Sequence, residues 1–400
     1  MLRSQDYIKI EDQYGAHNYQ PLDVVLTRGQ GIWLEDVEGK KYMDFLAAYS
    51  AVNQGHCHPR LVKVMQEQCA RLTLTSRAFR NDQWPLLAKE LCELTGYEMV
   101  LPMNSGAEAV ETAIKAARKW GYLYKGVARD KAEIIVCTGN FHGRTTTIIS
   151  FSTDEQYKDG FGPLTPGFVA IEYGSIEELK RAINPNTVAF LVEPIQGESG
   201  VIVPPEGWLK ASSEICRENK VLLIADEIQS GLGRTGKLFA CEHENVRPDV
   251  VIIGKALSGG MYPVSAVVAS QEILGVFKPG DHGSTYGGNP LGSAIAREAL
   301  KIIIDEKLPQ KSAESGAYLM QKLNEIESPY IEQIRGKGLW VGIVLKPSAG
   351  GARHFCVALQ ERGILAKETH ENVIRLAPPL NITRSELDQA IAILQEVLTQ

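Results

Sequence analysis

The sequence predicts an α/β fold, a mostly parallel, seven-stranded sheet flanked by helices and joined to a smaller α+β unit. Three observations carry this expectation. Short β-rich runs alternate with amphipathic helical stretches through the middle of the chain. Those runs are apolar without alternation, as strands covered on both faces are. Both ends of the chain read instead as short strands and helices that pack together. At 400 residues the chain exceeds the usual size of one core. Two units are therefore expected, a larger one over residues 50–295 and a smaller one formed by residues 1–49 and 296–400.

In chain order, residues 31–40 predict a hairpin, a strand running into an acidic Gly turn. A helix is expected over 107–120, opened by the capping box of Ser105 and Glu108, with Val110, Ile114 and Ala117 along one face. The seven strand candidates are residues 134–137, 147–151, 168–171, 188–192, 221–225, 250–253 and 264–269. Helices over 176–183 and 208–218 serve as crossovers. A strand at 339–345, a helix at 353–361 and a strand at 373–376 follow. The last helix opens on the capping box of Thr383 and Glu386.

Lys and Arg number 42 against 48 Asp and Glu, a net charge of −6. With no basic tract beside it, that balance argues against nucleic-acid and anionic-membrane partners. No run is long enough to cross a bilayer, and the first residues lack the apolar core of a signal peptide, so a cytoplasmic place is expected. Seven scattered cysteines, none spaced as C-x-x-C, predict buried thiols rather than a disulfide framework or zinc knuckle. His56-Cys57-His58 has no fourth ligand nearby, so no metal is expected. Gly231-Leu232-Gly233-Arg234-Thr235-Gly236 matches G-x-G-x-x-G, yet five residues separate it from the preceding strand and no clear helix follows. It reads as a flexible glycine loop, not a dinucleotide site.

The run at 221–225 drives into the sheet and ends in Asp226. The run at 250–253 ends, after Gly254, in Lys255. Ligands in open α/β sheets sit at the carboxyl ends of strands, and lysine is rarely placed behind four apolar β residues, because desolvation disfavours its ammonium. An ordinary buried ion pair is the plain alternative. One buried acid and one buried lysine on two strand ends are also what pyridoxal 5'-phosphate chemistry requires. The lysine forms a Schiff base, and the acid keeps the ring nitrogen protonated. The helix start at Asn104-Ser105-Gly106-Ala107-Glu108 offers free N–H groups to a phosphate.

Six segments together carry a family resemblance. They are Asn-Ser-Gly-Ala-Glu-Ala at 104–109, Asn-Phe-His-Gly-Arg at 140–144, Glu-Pro-Ile-Gln-Gly-Glu at 193–198, Asp-Glu-Ile-Gln at 226–229, Gly-Lys-Ala at 254–256 and Gly-Ser-Thr-Tyr-Gly-Gly-Asn-Pro at 283–290. In that order the chain resembles the subgroup III, fold-type I aminotransferases. The resemblance implies that Lys255 is the Schiff-base lysine and Asp226 the pyridinium partner, the two catalytic residues. It implies that Phe141 stacks on the ring, that His142 and Glu193 lie beside it, and that Gln229 bonds its phenolic oxygen. Ser105, Gly106 and Ala107 would hold the phosphate. Ser284 and Thr285 would reach it from the neighbouring subunit, which makes the active site a property of a homodimer.

For substrates, the resemblance implies an amino acid and a 2-oxo acid. Arg144 would be the fixed carboxylate binder, Tyr19 would assist at an α-carboxylate and Tyr49 would shape the entrance. Glu198 and Arg375 would form an ion pair that opens for one substrate and closes for the other. Residues 14–19 and 46–56 resemble the branch that moves the δ-amino group of ornithine to 2-oxoglutarate. The branches acting on acetylornithine or 4-aminobutyrate, which lack a tyrosine at the place of Tyr49, are the alternative.

Overall fold

The structure, a computed structural model, describes residues 2–400. Near the N-terminus, β1 (Leu26–Gln30), β2 (Trp33–Asp36) and β3 (Lys41–Asp44) form an antiparallel meander. The β2–β3 pair is the expected hairpin. Its turn is fixed by the Asp36 carboxylate, which accepts the N–H groups of Glu38 and Lys40.

The central sheet is built from β4 (Met99–Met103), β5 (Glu133–Cys137), β6 (Phe168–Ile171), β7 (Thr187–Val192), β8 (Leu222–Asp226), β9 (Val250–Ile253) and β10 (Ser265–Ala269). Across the sheet they lie in the order β4-β10-β9-β8-β7-β5-β6. β10 runs antiparallel to both neighbours and all other pairings are parallel. Every residue of β7, β8, β9 and β10 is buried, which is why these strands read as uninterrupted apolar runs. Alternate residues serve opposite faces. Leu222 and Ile224 join the core under the helix Gly106–Trp120, while Leu223 and Ala225 join the one under the helix Trp208–Glu218.

The sheet has the expected seven strands, with one exchange of membership. Residues 147–151 do not form a strand. Thr145 caps a one-turn helix, Thr146–Ile149, by accepting the Ile148 N–H, and the turn sinks Ile148 and Ile149 into the core. A cap of this kind overrides the β preference of a Thr-Thr-Ile-Ile run. The seventh strand is β4, Met-Val-Leu-Pro-Met, which reads poorly because of Pro102. Proline is tolerated there because β4 is an edge strand paired only with β10.

After the central sheet come β11 (Ile331–Gly336), β12 (Val341–Leu345), β13 (Ile364–Leu365), β14 (Lys367–Thr369) and β15 (Val373–Leu376). Four of them form a second small sheet in the order β11-β12-β15-β14, and β13 pairs in parallel with β3 instead. This pairing brings a C-terminal strand beside an N-terminal one. The helix Pro290–Asp305 runs unbroken through residue 295, where a division was expected. The expected burial of the thiols holds for Cys137, Cys216, Cys241 and Cys356; Cys92 is half-buried, and Cys57 and Cys69 are exposed.

The glycine segment 231–236 is not a flexible loop. It is a largely buried turn whose Arg234 joins three parts of the chain. Nη1 donates to the carbonyls of Leu339 and Pro378 at 2.8 and 2.7 Å, and Nη2 donates to Asn53 Oδ1 at 2.5 Å. Replacing Arg234 by alanine strands those acceptors in a dry interior. The change should lower stability by about 3 kcal/mol, read as a shift in the urea unfolding midpoint. An unchanged midpoint would show the fold does not rely on this junction.

Candidate active site

Strand register places the two central groups. β8 and β9 run parallel with Asp226 opposite Ile252, so the chain leaving β9 reaches Lys255 just past the level where β8 ends. Gly254 is fully extended, and Lys255 then takes a left-handed φ of 46°. That conformation is unfavourable for a residue with a Cβ and is held by the packing around it. Asp226 and Lys255 both line a cavity of about 200 Å³ together with Gly106, Ala107, Phe141, His142, Glu193, Ile228 and Gln229.

The acid is itself held. His142 Nδ1 donates to Asp226 Oδ2 at 2.7 Å, and Asp226 Oδ1 accepts the Ile228 N–H at 3.1 Å. Burial works against a charged imidazole, but the hydrogen bond and charge of Asp226, with the charge of Glu193, outweigh it and raise the His142 pKa. Its Nε2 is buried without a partner in the chain. Glu193 accepts the N–H groups of Phe141 and Gly197. Burial and the nearby Asp226 nevertheless push its carboxyl up to about 7. Burial also lowers the Lys255 pKa, against the opposing pull of Glu198 and Asp226. A lysine shifted in this direction offers more free amine near neutral pH.

The helix start expected to hold a phosphate takes its form from helix capping. Ser105 Oγ accepts the Glu108 N–H and Glu108 Oε2 accepts the Ser105 N–H. The box leaves the N–H groups of Gly106 and Ala107, at the positive end of a 15-residue helix, with no partner in the chain. The Ser105 hydroxyl is occupied by capping and does not line the cavity.

A larger open pocket of about 770 Å³ lies outside the inner cavity. Tyr19, Tyr49, Arg144 and Tyr157 line it, and Tyr157 meets Phe141 edge-on. The Arg144 guanidinium lies 4.3 Å from the Tyr157 ring centroid, free of any carboxylate. Arg375, almost fully buried, donates from Nη1 to Glu198 Oε1 at 2.8 Å, and its guanidinium sits 4.8 Å from the Tyr49 ring centroid.

A family model of class-III aminotransferases matches residues 14–398. The chain belongs to the class-III aminotransferase family. It is 58% identical over 397 residues to an ornithine aminotransferase of Geobacillus sp. (strain WCH70), covering 99% of each chain. To one of Bordetella pertussis it is 56% identical over 390 residues, 98% of this chain and 95% of the relative. The crystal structure of an ornithine aminotransferase from Toxoplasma gondii superposes with a TM-score of 0.98 at 44% identity, covering 100% of this chain and 95% of that one. An acetylornithine aminotransferase from Elizabethkingia anophelis reaches a TM-score of 0.91 at 49% identity, with 100% and 99% covered.

Most residues expected at a class-III site are brought together here. Lys255, Asp226, Phe141, His142, Glu193, Gln229, Gly106 and Ala107 share the inner cavity, and Tyr19, Tyr49 and Arg144 share the outer pocket. Ser284 and Thr285 line neither. Ser284 Oγ accepts from Asn104 Nδ2 beside the cradle, and Thr285 is exposed. Three groups near the site were not among the residues expected from the sequence. They are Tyr157 under Arg144, Asp44 with His56 in the pocket wall, and Gly197, where a Cβ would run into the Gln229 side chain. Only the glycine carried any signal, as the small residue inside Gln-Gly-Glu.

The buried Glu193 carboxyl makes a measurable link to pH. Its folded-state pKa of about 7 lies above the ordinary 4.5, so the folded protein holds this proton more tightly than the unfolded chain. The contribution to stability is full below about pH 4.5 and is lost as pH rises through about 7, a change of about 3 kcal/mol. Glu193→Gln should flatten that part of the curve, read by urea unfolding at about pH 5 and about pH 7.5. Parallel curves for the two proteins would mean that the carboxyl is ionised throughout.

Proposed function

We propose that this chain is a pyridoxal 5'-phosphate-dependent ornithine δ-aminotransferase that passes the δ-amino group of L-ornithine to 2-oxoglutarate, giving glutamate 5-semialdehyde and glutamate. The cofactor fits the residues on three counts. Two free N–H groups at a helix start suit its phosphate, the apolar faces of Phe141 and Ile228 suit its ring, and a carboxylate steadied by His142 suits its nitrogen. When bound, pyridoxal phosphate supplies the carbonyl that accepts the amino group and a protonated ring that draws off electrons from the reacting carbon.

The chain's own residues do the remaining work. Asp226 holds the proton at the ring nitrogen. Lys255 Nζ, its basicity tuned by burial, removes the proton from the δ-carbon of ornithine. The observation that carries the choice of donor is the Glu198–Arg375 pair roofed by Tyr49. With that pair closed, Arg144 is the free guanidinium of the outer pocket, placed to take an α-carboxylate distant from the reacting δ-amine. With the pair open, Arg375 is released near Lys255 for the α-carboxylate of a dicarboxylic partner, whose far carboxylate meets Arg144. One catalytic lysine can then serve two amino donors of different length.

Acetylornithine is the second reading, favoured by the 49% identity to the Elizabethkingia enzyme; the bulk of Tyr49 at the entrance weighs against it. A homodimer in the cytoplasm completes the proposal. The exposure of Thr285 and the position of Ser284 beside, rather than in, the cavity support a phosphate site finished by a second subunit.

Borohydride reduction followed by peptide mapping should place the pyridoxyl tag on Lys255, and Lys255→Ala should cut turnover at least about a thousandfold. A tag elsewhere, or none, would overturn the assignment. Single-donor half-reactions with ornithine, acetylornithine and 4-aminobutyrate should give pyridoxamine phosphate fastest with ornithine. Losing Tyr19 or Tyr49 should weaken ornithine far more than it weakens cofactor binding. A faster reaction with acetylornithine would move the protein to that branch.

A further inference from the structure

Tyr49 sits on a segment of unusual backbone. Ala47, Ala48, Tyr49 and Ser50 have φ of 47°, 46°, 60° and 71°, a left-handed turn made without a single glycine. Each such residue is disfavoured for L-amino acids, so four in succession persist only where their surroundings over-determine them. The root of the turn shows what does so. Asp44, buried at the end of β3, accepts the N–H groups of both Leu46 and Ala47 on Oδ1, each at 2.8 Å. Its other oxygen, Oδ2, accepts from His56 Nε2 at 2.6 Å.

His56 is fixed in turn by reciprocal backbone bonds with Gly31. Phe45, between Asp44 and the turn, is pinned by Leu365 O on one side and the Ala377 N–H on the other. At its far end the turn hands the Tyr49 carbonyl to Gln229 Nε2 and the Tyr49 ring to Arg375.

We infer that Asp44, oriented by His56, is a positioning residue for Tyr49. Its carboxylate imposes the left-handed turn that holds the phenol over the Glu198–Arg375 pair, and so contributes to the choice of amino donor. The inference rests on the ornithine reading for its effect on donors, but not for its geometry. Asp44 touches neither the inner cavity nor its groups. It acts through two peptide N–H groups at the root of the turn, beside the turn's own backbone bonds from Tyr49 to Leu46 and from Ala51 to Ala47.

A double-mutant cycle separates this role from ordinary structural support. Asp44→Ala should reduce kcat/KM for ornithine by about tenfold or more, the effect of losing two charge-assisted hydrogen bonds at the root of the turn. On borohydride-reduced enzyme, which cannot turn over, calorimetry should show ornithine binding weakened by a similar factor. In a Tyr49→Ala background the same change should cost less than about twofold, because the residue it positions is gone. Asp44→Asn, which keeps an oxygen for the two N–H groups, should recover most of the loss.

If Asp44→Ala does not fold, His56→Gln carries the same cycle with a smaller effect. Equal losses in the presence and absence of Tyr49 would overturn the inference. A wild-type enzyme that ignores ornithine would sink the donor reading instead. The positioning role would then be decided by a crystal structure of Asp44→Ala, in which residues 47–50 still at positive φ would overturn it.

Discussion

The structure depends on holding one buried carboxylate in place at the end of a fully buried strand. Asp226 ends a strand with every residue buried, where a polar group without hydrogen-bond partners is costly. The His142 hydrogen bond and the Ile228 N–H offset that cost. Much of the neighbourhood is arranged around the same need. Phe141 and His142 are adjacent in sequence, so the backbone that carries the imidazole also presents an aromatic face to the cavity. Glu193 fixes that backbone by accepting the Phe141 N–H. Its buried carboxyl is pushed toward the neutral form, which spares the site a second full negative charge beside Asp226.

How much of this was legible in the sequence follows from the range of each interaction. Asp226 and Lys255 were visible because a strand buried on both faces leaves an apolar run, and a charge at its end stands out. The cradle was visible because a capping box lies within four residues. β4 was hidden by Pro102, harmless only because the strand lies at the sheet edge, a fact of topology. Residues 147–151 had the composition of a strand, but Thr145 one turn earlier capped them as a helix. The Arg234 junction joins positions near 53, 339 and 378. No local pattern announces such a contact, and its glycines resembled a nucleotide motif. The same holds for Asp44 and His56, and for Tyr157 under Arg144. The partner roles of Glu198 and Arg375 were legible through family resemblance alone, since 177 residues separate them.

Among the non-glycine residues at positive φ, two stretches line the candidate site. Lys255 and the turn at residues 47–50 hold positive φ without glycine. A glycine at either place would relieve the backbone, yet neither place can give up its side chain: one position must carry an amine and the other an aromatic ring. The fold therefore keeps the side chain and restrains the backbone by other means. At Lys255 the chain passes from the extended Gly254 into a short 3-10 turn whose Ala256, Leu257 and Ser258 are buried. At Tyr49 a buried carboxylate captures the first two N–H groups.

The division between a tight inner cavity and an open outer pocket has a chemical consequence. Asp226 and His142 are on the inside, where the low dielectric strengthens their mutual bond. Groups that must change partners lie at the boundary. Glu198 retains partial exposure while Arg375 is almost completely buried. Opening their pair must leave a buried guanidinium without a carboxylate, which is strongly unfavourable unless another anion arrives. A substrate carboxylate of the right reach supplies that anion; an ammonium chain does not. In the proposed mechanism the burial of Arg375, more than its charge, keeps the pair closed over a cationic donor and lets an acidic one open it. The Tyr49 ring adds to this bias by covering the guanidinium with a π face, which favours the cation while keeping water from taking the place of a carboxylate.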